Sequence, residues 1–135
     1  QLKNQTESSR ILQAENQVLI KQKANQAEKT ILVLLLALNK QQLSETEAAM
    51  RVSYFSQMLI WPEDETLLFN AFHQLAKDTS HIPILDQWQL LSNQEKQAFD
   101  QQREELEIMH RVNINSSTQQ LLTLLKQKTD INFKD

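Results

Sequence analysis

The sequence predicts an all-α protein, an antiparallel four-helix bundle with long first and last helices and two shorter helices between them. Three observations predict it. The 135 residues include no glycine and only two prolines, whereas sheet proteins need glycine for the positive φ angles of tight turns. Apolar residues recur three and four apart rather than in alternation. Polarity also runs in mirror image: residues 11–38 and 99–125 each read apolar, polar, apolar. Laid antiparallel, the two stretches match like with like, pairing Ile20 with Leu121, Leu32 with Met109 and Leu35 with Leu106.

The first helix is expected from about Ser9 to Leu38. Ile20, Ala24, Ala27, Ile31, Leu34 and Leu38 form a heptad seam, and from Ile31 to Leu38 the helix is apolar all round, so neighbours must surround it. Ser44 and Glu47 have capping-box spacing and start the second helix, whose inner face carries Ala48, Val52, Phe55 and Leu59. Trp61-Pro62 ends or kinks it. Pro62-Glu63-Asp64-Glu65 opens the third, with proline in the first turn and acids at the positive end of the helix dipole. Its buried stripe is Leu67, Leu68, Ala71, Phe72 and Leu75. A short helix over 84–91 turns Trp88 inward. Ser92 and Glu95 form a second capping box, from which the last helix runs to about Lys128. The competing layout fuses the second and third helices at Pro62 into one kinked rod, giving a three-helix bundle.

Length and composition fit one domain over 1–135 with a real core, read as a piece excised from a longer membrane protein. Helix lengths imply that the two short helices cover only half of the long ones. The remaining two-helix stalk would present Ile11, Val18, Leu121 and Leu125 to a partner, and a homodimer supplies one. Absence of cysteine excludes disulfides and thiolate chemistry. A net charge of −3 argues against nucleic acid. The charge is uneven: residues 1–30 and 119–135 hold eight basic and five acidic side chains, and residues 31–118 hold six and twelve. The end carrying both termini is therefore basic, which suits anionic lipid headgroups.

No pattern of residues requires catalysis, and no cofactor or metal is expected. Glu107 and His110 have the Glu-x-x-His spacing of di-iron bundles, but Asn70 stands where His73 would need its glutamate, so Glu107 reads as solvated. Without glycine there is no phosphate loop. Of the four arginines, Arg51 and Arg103 fall near the thick end. They could converge on a small anion, although a surface pair of Arg51 with Glu47 is the plainer reading. Trp61, beside a proline at a helix junction, is the aromatic most open to a ligand. Asn25, Glu28, Asn113, Asn115, Ser116 and Ser117 would form a polar belt at one level of the paired long helices. Such a belt excludes wrong registers or lets the helices slide. Asn4-Gln5-Thr6 and Asn115-Ser116-Ser117 also fit glycosylation sequons.

This layout, with termini together at a basic end, resembles the periplasmic four-helix sensor domains of bacterial chemoreceptors and sensor histidine kinases. The resemblance covers the whole chain and rests on helix layout alone. It implies a homodimeric periplasmic part of an inner-membrane protein, flanked by membrane segments. A ligand at the far end would displace the last helix against the first, the belt of Asn25, Asn113, Asn115 and Ser117 easing the movement. The alternative is a soluble interaction domain, an adaptor or effector, secreted or cytoplasmic, that grips a partner through an exposed apolar stripe.

Overall fold

A computed structural model describes the backbone of residues 2–134 and the side chains of residues 6–129. The described residues are helical, without strands. Helix α1 spans Leu2–Asn39, α2 Glu45–Ser56, α3 Glu63–Thr66, α4 Asn70–Asp78, α5 Leu85–Gln89 and α6 Asn93–Lys134, with a 3-10 turn at Leu67–Phe69 between α3 and α4. Four of these helices exceed seven residues: α1, α2, α4 and α6. The backbone leaves helical structure between Ser56 and Glu63, so the kinked single rod is not formed and α2 ends before Trp61-Pro62. Both long helices run further than expected, α1 starting by Leu2 and α6 passing Lys128.

Helix boundaries follow their caps. Ser44 Oγ accepts from the Glu47 N–H at 3.1 Å, but Glu47 turns to the exposed Arg51 instead of reaching back. The Ser92 box closes in both directions: Glu95 N–H donates to Ser92 Oγ at 3.1 Å and Ser92 N–H to Glu95 Oε1 at 3.0 Å. Helix α1 ends in a Schellman turn, with Gln42 N–H donating to Ala37 O and Gln41 N–H to Leu38 O. That motif puts its C′ residue in the left-handed region, usually as glycine. Here it is Gln41, at φ 60°.

The core joins Ile31, Leu34 and Leu35 of α1, Ala49 and Val52 of α2, Phe69, Phe72 and Leu75, and Ile114, Leu121, Leu122 and Leu125 of α6. It starts at Ala24 on α1; every side chain from Thr6 to Lys23 is exposed, including Ile11, Leu12, Val18, Leu19 and Ile20 at 52–59%. The expected register is not the one adopted. Met109 is 70% exposed and Ile20 54%, while the Gln119 amide donates to Asn39 Oδ1 at 3.0 Å. Helix α6 is displaced along α1 by roughly five turns from the polarity match. The physical reason is the bulk of the apolar segment at Ile31–Leu35, which packs on Leu121, Leu122 and Leu125. Met109 faces solvent, whereas Leu106 is half-buried and packs on the edge of the core away from its expected partner Leu35. A consequence is that α1 carries about 20 residues beyond the core at one end, and α6 carries a similar length at the other. Over that second overhang fold the α4–α5 connection and α5, held by His81 Nε2 at 2.9 Å from Gln102 Oε1 and by the His81–Phe99 ring contact.

Candidate functional site

A cleft of about 870 Å³ lies where α1 ends, α2 begins and α6 crosses both. One wall is the turn from Leu38 to Ser44; the other is the α6 face carrying Glu107, Arg111, Asn115 and Gln119. Its chemistry is dominated by carboxamides, from Asn39, Gln41, Gln42, Asn115 and Gln119. Each amide offers donors and an acceptor, so the wall can bind hydroxyl, amide or carboxylate groups in several orientations.

Charge is set at the cleft's α2 end. The Thr46 backbone N–H and hydroxyl both donate to Glu107 Oε2, at 3.0 and 2.9 Å. Thr46 N–H is one of the donors that a helix N-terminus leaves without an intrahelical acceptor, so Glu107 caps α2 from α6. Glu107 is therefore not simply solvated, as the sequence suggested. Arg111 Nε–H donates to Glu45 Oε1 at 2.8 Å, and Glu45 Oε2 is buried without a hydrogen-bond partner among the described residues. The guanidinium of Arg111 is thus paired with Glu45, and Glu107 lines the same cleft one turn away on α6. The cleft also contains a strained residue: Gln41, which lines it, occupies a conformation that costs a residue with a Cβ on the order of 1 kcal/mol or more.

The residues singled out from sequence are dispersed. Arg51 is exposed and sits 3.8 Å from Glu47. Arg103 pairs with Asp100 at 2.8 Å and borders a small apolar groove formed with Ile82, Leu85 and Trp88. Trp61 is half-buried rather than open. Its indole N–H donates to Glu28 Oε1 at 2.8 Å, its face lies 4.8 Å from Lys128 Nζ, and Lys128 pairs with Glu65 at 2.9 Å. This group clasps α1 to α6 across the start of α3. The three residues therefore do not converge on an anion. The polar belt is also divided by the register shift. Asn115 lines the large cleft, Asn113 is exposed and Ser117 half-buried, while Asn25 lies beside a separate groove with Ile20 and Ile60. His110 Nε2 stands 2.7 Å from Asp78 Oδ2. No group of three or more metal-capable side chains occurs among the described residues, and no helix there is long and apolar enough to cross a membrane.

Sequence reasoning missed Asn39, Gln41, Glu45 and Gln119. A signal existed in Asn39-Lys40-Gln41-Gln42, where a helix ends without glycine on a run of polar side chains. Residues 1–121 match the model of a family described as "Protein of unknown function (DUF2489)". The chain belongs to this family. No curated protein and no solved structure matches it.

Proposed function

We propose that this DUF2489 chain is a non-catalytic sensory module that binds a small polar ligand in the cleft at the α1–α2 turn. The observation that carries the reading is the strained Gln41 on a cleft wall shared by both long helices. Backbone strain persists where something other than stability selects the residue, and an occupant touching both walls would bias the position of α6 against α1. In this reading the long helices are antiparallel rods of a four-helix bundle. Two contact points support that layout: Asn39 with Gln119 at one level, and Glu28 with Lys128, both on Trp61, at another. An extracytoplasmic setting belongs to the same proposal and is tested by reporter fusions active on only one side of a membrane.

Binding is tested by a thermal-shift panel of amino acids, dicarboxylates and sugars. The reading expects at least one compound to raise the melting temperature of the native chain and to lose that effect in Arg111→Ala and Gln119→Leu. Ligands acting equally on all three proteins would contradict the cleft as the site. A second reading, an interaction domain, is favoured by one specific observation, the exposed apolar side chains on α1 before Ala24.

A further inference from the structure

Hydrogen-bonding side chains line the cleft at a regular interval. On the α6 wall Arg111, Asn115 and Gln119 stand four residues apart, a step of about 6 Å along the helix. Two bridges to the facing turn mark the ends of this row. Arg111 Nε–H donates to Glu45 at one end, and the Gln119 amide donates to Asn39 at the other; the ends lie roughly 12 Å apart. Between them the Asn115 carboxamide makes no hydrogen bond among the described residues, and neither do those of Gln41 and Gln42 on the turn; all three residues are exposed. A free carboxamide donates and accepts side by side, which complements the C=O and N–H of one residue in an extended chain. Successive residues of such a chain turn these groups to opposite sides. Residues two apart therefore face the same wall, at intervals of about 6.4–6.8 Å, and the helix step falls short of that by less than about 1 Å.

We infer that the occupant of the cleft is a short extended peptide of about four residues, its backbone held between Asn115 and Gln119 on α6 and Gln41 and Gln42 on the turn. The inference rests on the cleft being the binding site and names what it binds. Length follows from the bridges, since a span of roughly 12 Å holds about four extended residues. Alternate residues present their N–H and C=O to α6 and to the turn, so both walls read the main chain. Strand addition to a sheet edge draws its affinity from the same main-chain groups; here side-chain amides supply the partners. Other polar ligands match the row less well. Among the described residues that line the cleft there is no aromatic ring to cover the C–H face of a sugar, and a single amino acid spans only one step. Glu45 and Glu107 against Arg111 leave the lining with one net negative charge, so a neutral or basic peptide is favoured over an acidic one.

The test titrates acetyl-Ala-Lys-Ala-Ala-amide into the isotopically labelled native chain and follows the side-chain amide signals by NMR. Saturable shifts at Asn115 and Gln119 are expected. In a series of capped peptides of one to six residues, affinity should rise with length to about four and then level off. Methylating the two central backbone nitrogens removes donors without changing charge and should weaken binding at least about fivefold; replacing the lysine with glutamate should weaken it about threefold or more. Asn115→Ala should cost at least about fivefold in affinity. Asn115 is exposed and bonds to no described residue, so the melting curve of that variant should match the native one, which keeps misfolding from imitating the result. Asn113→Ala, exposed and outside the cleft, should leave binding unchanged. A peptide that binds the native chain and Asn115→Ala equally overturns the inference, as does an affinity that is the same for one residue and for four. So does a series in which no peptide binds. If a compound of the thermal-shift panel then still needs Arg111 and Gln119, the cleft stands and only the peptide assignment falls; if nothing binds, both fall.

Discussion

At the scale of single residues, the most informative positions are those where a local preference is overruled. Gln41 takes a backbone conformation for which glycine is the ordinary choice. Gln41→Gly should therefore stabilise the chain by about 1 kcal/mol in urea titrations while weakening any ligand that needs the cleft amide. Loss of stability instead would mean that the side chain itself holds the turn. Trp61 poses a different case, because its ring packs on Phe69 while its N–H is bonded to Glu28. Trp61→Phe retains most of the packing and should cost about 1 kcal/mol for the lost hydrogen bond. The His73 imidazole, 3.0 Å from Ser53 Oγ, is held below its ordinary 6.5 because burial disfavours its charged form. The unfolded chain then takes up a proton that the folded chain resists. Stability falls as pH drops below about 6.5, and His73→Gln should flatten urea midpoints measured across that window. Glu95 acts in a lower window. The Ser92 N–H and hydroxyl hold its carboxyl below the usual 4.5, so its contribution is present above that value and lost as pH falls through the folded value.

At the scale of helices, the caps and the absent glycines made most of the structure legible. Ser44 and Ser92 located two helix starts correctly because capping depends on side chains within three residues, which a sequence displays directly. The break at Trp61-Pro62 was legible for the same reason. What the sequence concealed was the long-range cap: Glu107 satisfies an N–H of α2 from 61 residues away, and no local spacing announces that. Glu107→Ala leaves the Thr46 N–H and hydroxyl without their acceptor. It should destabilise the chain by about 1–3 kcal/mol, more than Ser44→Ala at about 1 kcal/mol, in paired urea titrations. The candidate site was illegible for a related reason. Its walls come from a turn and from the middle of α6, so they meet only once the register of α1 and α6 is known. Polarity matching maximised the number of like pairs, whereas packing is governed by the few positions that bury most area. Ile31, Leu35, Leu121 and Leu125, all fully buried, outweigh the longer but weaker match through Leu106 and Met109. The division of Asn25 from Asn115 follows directly from that choice.

At the scale of the whole molecule, the proposed layout sets two long helices side by side but offset, with the core gathered where they overlap and are covered by α2 and α4. Since no core residue precedes Ala24 among the described side chains, removing residues 1–22 should leave the melting temperature of dilute protein almost unchanged. Phe72→Ala in the overlap should cost about 3–5 kcal/mol. The offset also explains how one chain can present a polar cleft near one end of the core and an apolar stripe toward the other. The measurement that tests this architecture most directly is electron–electron distance spectroscopy on spin labels attached to introduced cysteines. Val33 and Met109 are both exposed and tolerate labels. The offset register places them on the order of 25 Å apart along the helix axes, and Asn39 and Gln119 side by side. A long distance for the first pair with a short one for the second is the predicted result. Adjacent labels at 33 and 109, with 39 and 119 far apart, would contradict it.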